Sequence, residues 1–268
     1  MVLPVHDVNP VRRTPVVTYL LIAVNVVAFL LSPIASTITG SGSASSQCRQ
    51  LAFLDQYAAK PVELIGNDPE AQVATGEVGT DERGRSGCVL GPPTYDMPPV
   101  LSALTAMFLH GGWLHLLGNM LYLFVFGNNV EDRLGRLRFL LFYLFCGYAA
   151  TYGFAAASPS SDTALVGASG AIAGVLGAYL VLFPRARVWS LLTFFFFLPV
   201  RLPAWVVLGS WFVLQALYSG GAGLTDATDG GGVAYLAHVL GFVVGAALLW
   251  RLRGTGTARQ PPTYAPRR

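Results

Sequence analysis

The chain has 268 residues, of which 53% are hydrophobic and only 12% are charged, and its mean hydropathy is +0.54. This composition excludes a disordered chain and a disulfide-dense scaffold, and it leaves too few charges to cover an ordinary soluble domain. The net charge of +3, without a dense basic stretch, argues against a nucleic-acid partner. We therefore expect an all-α polytopic membrane protein.

Six apolar segments are candidate membrane spans, because about 20 apolar residues cross ~30 Å of hydrocarbon and fewer suffice beside a cavity. They are Val16–Leu31, Leu114–Phe126, Leu137–Ala157, Ala168–Phe183, Ala204–Tyr218 and Val233–Trp250. The second span has a candidate upstream extension, Leu101–Leu109. A further apolar run, Trp189–Leu198, has only ten residues and lies between two prolines, so we assign it to an interfacial loop.

The charges predict the orientation of these spans. With the N-terminus inside, the inner segments hold thirteen basic and three acidic residues, a net charge of +10. The outer segments hold four basic and eleven acidic residues, a net charge of −7. Because basic residues concentrate on the cytoplasmic side, we expect both termini in the cytoplasm.

The polar segments complete the predicted organisation. Residues 1–15 form an inner leader without a cleavable signal peptide, residues 16–253 the membrane domain, and residues 254–268 a disordered inner tail. Residues 32–99 form a polar outer loop that is too short for a separate domain with much core. Cys48 and Cys88 both lie in this loop, where either a disulfide or two free thiols are consistent with the sequence.

The polar residues inside the spans limit the chemistry. No aspartate or glutamate lies in the middle of a span, and the chain has no His-Glu-x-x-His pattern. An intramembrane aspartyl protease and a zinc-dependent intramembrane protease therefore lack their essential residues, and no metal site is expected. A transporter or channel is disfavoured as well, since the spans contain no carboxylates and the two halves of the chain show no repeat.

Serine, histidine and asparagine remain, and they fall at one depth near the outer face. His115 and Asn119 share a helical face at the outer end of the second span. Ser169 begins the fourth span, and His238 lies about 7–8 Å below the outer start of the sixth. His110 lies just above His115, either as a further contact or as part of a closing loop.

Glycine pairs predict which helices touch. Gly170 and Gly174 are four residues apart in the fourth span, and Gly241 and Gly245 are four apart in the sixth. Such small-xxx-small faces let helix backbones approach closely. A close crossing would bring the serine of the fourth span against the histidine of the sixth, although such pairs also occur simply as packing devices.

A serine beside a histidine suggests nucleophilic catalysis. Histidine can take the hydroxyl proton and return it to a leaving amine. Since no carboxylate is available to orient His238, we predict a dyad of Ser169 and His238. The backbone N–H of Ser169 and the side chains of His115 and Asn119 can stabilise an oxyanion.

Three motifs in this order resemble the rhomboid family of intramembrane serine proteases, of the bacterial six-helix type. They are HGGWLHLLGN at 110–119, GASG at 167–170 and AHVLGFVVG at 237–245, with EDRLG at 131–135 as a further match. The resemblance runs from Arg12 to about Arg253. The first outer loop lacks the Trp-Arg pair that many members carry.

The resemblance implies a serine endopeptidase in a six-helix bundle, with Ser169 as nucleophile, His238 as base, and His115 and Asn119 in the oxyanion hole. It also implies cleavage of single-span membrane proteins near the outer leaflet of a bacterial inner membrane, without cofactor, metal or nucleotide. The main alternative is a catalytically inactive relative that binds membrane clients. Such relatives typically lose the serine or the histidine, and both are present here.

Overall fold

A computed structural model describes residues 2–36, 43–66, 72–81, 84–93, 97–193, 198–221 and 234–254. In these ranges the helices are α1 (Val16–Leu31), α2 (Ala44–Tyr57), α3 (Pro61–Ile65), α4 (Pro99–Ala106), α5 (Trp113–Tyr122), α6 (Asn128–Leu134), α7 (Arg136–Ala157), α8 (Ser169–Leu182), α9 (Ala204–Gly221) and α10 (Tyr235–Gly254). The strands are β1 (Val2–Asp7), β2 (Val73–Thr80), β3 (Ser86–Gly91), β4 (Arg187–Leu192) and β5 (Leu198–Pro203). Of the predicted tail 254–268, residue 254 ends α10 and the rest lies outside these ranges.

Helices occupy all six segments predicted to span the membrane. The first coincides with α1, and the second is built from α5, a π-turn at Leu123–Gly127, and α6. The proposed upstream extension is a separate helix, α4, because His110 and two glycines break the chain between α4 and α5. The predominantly helical architecture is thus confirmed.

Fewer helices meet the length and composition expected of a membrane span than the six that the sequence predicts. Among the described residues, Arg136–Ala157 and Tyr235–Leu252 are long and apolar enough to cross a membrane, by length and composition. Val16–Leu31, Ser169–Leu182 and Ala204–Ser219 are apolar but shorter. Six spans therefore remain a prediction.

The expectation of an all-α protein holds only in part, because the chain also forms two small sheets. β1, β4 and β5 make an antiparallel sheet in that order, and β2 pairs with β3 in a hairpin. The run Trp189–Leu198, expected to be a loop, supplies most of β4 and the start of β5. The prolines of this sheet lie in β1 and β5, its two edge strands, where a missing N–H costs no ladder hydrogen bond.

The leader contains a strand and packs against the helices, although His6 itself is exposed. Asp7, the last residue of β1, is 4% exposed and accepts hydrogen bonds from Tyr179 and from Asn129 Nδ2. Burial raises the pKa of the Asp7 carboxyl, and these two hydrogen bonds partly oppose that effect. The leader is therefore attached to α6 and α8.

The described part of the polar segment between α1 and α4 folds around a covalent link. Cys48 on α2 and Cys88 on β3 form a disulfide. Lys60 Nζ lies 2.7 Å from Asp55 Oδ1, and Asp55 Oδ2 accepts a hydrogen bond of 2.8 Å from the Ala74 N–H. A disulfide and a largely buried ion pair can hold such a polar segment together without a large apolar core.

α8 is the central helix, since it is buried on nearly all sides and packs against α7 and α10. An all-round apolar surface is typical of such a helix. A Cβ built on Gly241 would overlap the carbonyl oxygen of Gly170, and one built on Gly245 would overlap that of Gly174. This confirms the predicted close crossing of the fourth and sixth segments.

Glu131 on α6 fixes the start of α1. Pro15, the residue before α1, provides no side-chain cap. Instead, Glu131 accepts hydrogen bonds from the backbone N–H groups of Val17 (3.0 Å) and Thr18 (2.7 Å), and from the Thr18 hydroxyl (2.8 Å). A carboxylate at a helix N-terminus satisfies N–H groups that have no partner within the helix and interacts favourably with the helix dipole.

The α8–α10 crossing gives a first testable prediction. Gly241→Ala is expected to destabilise the protein by roughly 1–3 kcal/mol, because its Cβ would displace backbone rather than a flexible side chain. Gly209→Ala on α9 is the matched control, since a Cβ there meets nothing within 4 Å. Thermal unfolding in detergent measures both, and equal midpoints for the two variants would contradict the tight crossing.

Candidate active site

The α8–α10 crossing brings Ser169 and His238 into direct contact. Ser169 is the first residue of α8, and His238 lies in the first turn of α10. Ser169 Oγ and His238 Nε2 are 2.7 Å apart, and His238 is 9% exposed. A hydroxyl within hydrogen-bond distance of a shielded imidazole has the geometry that nucleophile and base require.

Gln215 on α9 contacts the other nitrogen of this imidazole, and the sequence analysis did not identify it. Its Oε1 is 2.7 Å from His238 Nδ1. An amide oxygen can only accept, so Nδ1 carries the proton and Nε2 is left as an acceptor for the serine hydroxyl. A neutral amide thus occupies the place where serine protease triads have a carboxylate.

Aromatic rings of α9 and α10 surround the histidine. The centroid of Trp211 lies 6.0 Å from that of His238, and Tyr235 meets the imidazole edge-on at 6.4 Å. These rings restrict the orientation of the imidazole and shield it from solvent on their sides.

His115 faces the turn that precedes Ser169. Its Nδ1 accepts a hydrogen bond of 3.4 Å from the Gly111 N–H, which leaves the proton on Nε2. A Cβ built on Gly167 would lie 2.9 Å from this Nε2, so only glycine fits at that position. Gly167 also has φ of +117°, a left-handed conformation that favours glycine.

Asn119 lies on the same side of this turn. A Cβ on Gly167 would be 3.6 Å from Asn119 Nδ2. This nitrogen is buried and donates to no protein group in the described part of the chain. Buried donors are nearly always paired, so an amide directed at the serine turn calls for a functional explanation.

His110 supports His115 rather than reaching the serine. It is 1% exposed and lies in the short connection between α4 and α5. Its ring packs edge-on against His115, with 5.2 Å between centroids. Of the two roles considered for His110, this contact favours closing the loop beside His115.

A small cavity adjoins the serine. Its volume is about 40 Å³, and its walls include Ser169 and Gly170. Further lining residues are mostly small, and they include Ala106, Met107, Gly147, Ala150 and Ala237. A small space with such a lining favours small side chains or water molecules over large aromatic side chains.

Comparisons with known proteins identify the family to which the chain belongs. Residues 99–255 match the family model described as "Rhomboid domain". The chain is 30% identical to "Rhomboid-like protein 11, chloroplastic" of Arabidopsis thaliana over 164 residues, which cover 59% of this chain and 54% of that protein. It is 31% identical to "Rhomboid protein 1, mitochondrial" of Saccharomyces cerevisiae over 154 residues, which cover 56% and 41%.

A bacterial relative matches over a shorter stretch. Identity to "Putative rhomboid protease YdcA" of Bacillus subtilis is 43% over 77 residues, which cover 29% of this chain and 38% of that protein. The chain thus aligns with about half, or less, of the length of these relatives. The family match covers more than half of this chain and includes the serine, both site histidines and the asparagine. The chain belongs to the rhomboid domain family.

Proposed function

We propose that the chain is an intramembrane serine endopeptidase that cleaves single-span membrane proteins with Ser169 and His238. The observation that carries the proposal is the 2.7 Å contact between Ser169 Oγ and His238 Nε2 at the start of a helix. The name of the Bacillus relative, which contains the word protease, supports the same reaction class.

The proposed reaction begins with proton transfer. Ser169 Oγ attacks the carbonyl carbon of the substrate peptide bond while His238 Nε2 takes its proton. The imidazolium then gives this proton to the departing amine, which leaves an ester between Ser169 and the substrate. Water then attacks the ester while His238 takes one of its protons. His238 returns this proton to Ser169 Oγ, so the carboxylic acid product is released and the free serine is restored.

The negatively charged tetrahedral oxygen requires hydrogen-bond donors. His115 Nε2–H and Asn119 Nδ2–H both face the serine turn, and the first N–H groups of α8 have no partner within the helix. Donors fixed in a water-poor site stabilise such charge without reorganisation. His115 and Asn119 therefore form the proposed oxyanion hole.

Cleavage of a reporter tests this function. The purified protein is reconstituted in liposomes with a single-span reporter, beside Ser169→Ala and the control Ser45→Ala. Ser45 is exposed on α2 and lies apart from the site. We expect cleavage by the unaltered protein and by Ser45→Ala, and none above background by Ser169→Ala. Cleavage that persists in Ser169→Ala would refute the mechanism, and a folded protein that binds reporters without cleaving any would favour the inactive, client-binding alternative.

The cavity beside Ser169 predicts a preference for small residues. A reporter with alanine before the scissile bond is expected to be cleaved about tenfold more efficiently than one with phenylalanine, because the lining of this small pocket favours small side chains. Met107→Ala enlarges this pocket and is expected to narrow the difference in kcat/KM. Equal cleavage of both reporters by the unaltered protein would contradict this specificity.

Gln215 is the proposed positioning residue for His238. Gln215→Leu removes the acceptor for Nδ1–H but keeps the bulk, so the wrong tautomer becomes accessible, and kcat is expected to fall by roughly 10–100-fold. Gln215→Glu restores an acceptor and is expected to retain more activity than the leucine variant. A purely structural role would instead lower thermal stability and leave the pH dependence of kcat unchanged.

We further propose a multi-pass position in the plasma membrane, with both termini cytoplasmic and the site toward the outer leaflet. The charge asymmetry of the sequence supports this orientation, since the inner segments carry +10 and the outer segments −7. Labelling of single cysteines introduced at Ser45 and Arg136 with a membrane-impermeant maleimide tests it. Labelling of intact cells only at position 45 is expected.

A further inference from the structure

A large cavity lies at the other end of α8 from Ser169, about 20 Å away at 1.5 Å per residue. Its volume is about 840 Å³. The walls come from four separate parts of the chain: the connection between β1 and α1, helix α6, the connection between α8 and β4, and the start of α9. It shares no residue with the cavity beside Ser169.

The lining of this cavity is strongly basic. The chain brings five arginines to it, and they are Arg12, Arg13, Arg133, Arg185 and Arg187. Asp132 is the one acidic residue among the lining residues. Within the described part of the chain, no ion pair engages Arg12, Arg13, Arg185 or Arg187. Unneutralised like charges brought together by the fold repel each other, so an anion bound among them would be stabilised.

The cavity also has an apolar side. Leu182 and Phe183 end α8 against it, and Trp205 lines it from the start of α9. Trp205 is 58% exposed. Tryptophan is enriched where a membrane meets water, because its ring is apolar and its N–H is polar.

We infer that this cavity binds a phosphate-bearing anion, the headgroup of an anionic phospholipid, with the arginines on the phosphate and Trp205 beside the acyl chains. Guanidinium groups suit this ligand, since they donate paired hydrogen bonds to phosphate oxygens. Basic pockets between helices on the cytoplasmic side are suited to anionic headgroups in general. A freely soluble phosphate would satisfy the arginines and would leave the apolar wall without a partner. This binding requires neither Ser169 nor proteolysis, and it rests on the proposed orientation, in which this end of α8 lies on the cytoplasmic side.

Native mass spectrometry of the full chain in detergent tests the inference. The probes are phosphatidylglycerol, phosphatidylcholine of the same chain length, and inorganic phosphate. We expect phosphatidylglycerol to bind in preference to phosphatidylcholine. The double variant Arg185→Gln with Arg187→Gln is expected to weaken this binding by roughly 25-fold, on the basis of about fivefold for each basic residue near a headgroup.

The matched control removes the same charge elsewhere. Arg136 and Arg251 are both exposed, belong to the same predicted inner side and do not line the cavity, so Arg136→Gln with Arg251→Gln is expected to bind as the unaltered protein does. Equal loss in both double variants would show a diffuse charge effect and overturn the site. Binding of inorganic phosphate without selectivity for phosphatidylglycerol would overturn the lipid assignment. Thermal unfolding of each variant verifies that it is folded.

Discussion

Replacing His238 with alanine is expected to abolish reporter cleavage, with a fall in kcat of about 10⁴-fold or more. His238 Nε2 is the one base within reach of Ser169 Oγ among the described residues, at 2.7 Å. Without it the hydroxyl keeps its proton and is a weak nucleophile. Initial rates of reporter cleavage in liposomes, measured by quantitative gel analysis, give the ratio.

A second histidine serves as the control for this substitution. His6 is exposed on β1, far along the chain from the site, so His6→Ala is expected to cleave as the unaltered protein does. Because Ser169 and His238 act as one unit, the double variant Ser169→Ala with His238→Ala is expected to be no slower than either single variant. Substantial activity in a folded His238→Ala protein would contradict the assignment of the base.

Replacing Asn119 with alanine is expected to lower kcat by roughly 10²–10³-fold, which is typical for the loss of one oxyanion donor. The effect is expected to be smaller than that of Ser169→Ala, since His115 and a backbone N–H remain as donors. KM is expected to change little, because the interaction forms mainly in the transition state. Steady-state kinetics across a series of reporter concentrations separate the two constants.

An isosteric variant distinguishes donation from packing. Asn119→Asp keeps the shape of the side chain but replaces the Nδ2 donor with an oxygen. If Asn119 donates to the oxyanion, the aspartate variant is expected to be at least as impaired as alanine at neutral pH. Activity close to that of the unaltered protein in the aspartate variant would show that Asn119 only fills space.

Hydropathy was enough to predict where the apolar helices lie, whereas α2 and α3 formed in the segment 32–99 that was expected to be a polar loop. Val16–Leu31 was predicted with the bounds of α1, and α7 begins one residue before its predicted start at Leu137. Backbone groups in an apolar environment must be satisfied within the segment, so a long apolar run has few alternatives to a helix. The break between α4 and α5 was visible because His110 and two glycines interrupt the apolar run.

The sheets could not be predicted in the same way. β1 pairs with β4, and the partners Val2 and Leu192 are separated by most of the chain. A six-residue strand carries a weak local signal, and the pairing depends on where the helices place its partner. The run Trp189–Leu198 was correctly kept out of the spans, but nothing in its composition indicated the pairing with the leader.

The site was predicted from motifs that lie far apart in the chain. Ser169 and His238 were matched through depth and through glycine faces, and the structure brings them into contact. Gln215 was missed because the candidate polar residues were limited to serine, histidine and asparagine in the motifs of the second, fourth and sixth spans. It is the one amide in the apolar segment Ala204–Tyr218, and a polar side chain in such a segment was the available signal.

The central claim is that the folded chain activates the Ser169 hydroxyl, and a fluorophosphonate tests it most directly because this reagent esterifies activated serines. Intact-protein mass spectrometry followed by peptide mapping is expected to find one adduct, on Ser169, in the native protein. Heat-denatured protein and folded His238→Ala protein are expected to remain unmodified. No adduct on Ser169 in a native protein that cleaves reporters, or equal labelling of native and denatured protein, would contradict the account.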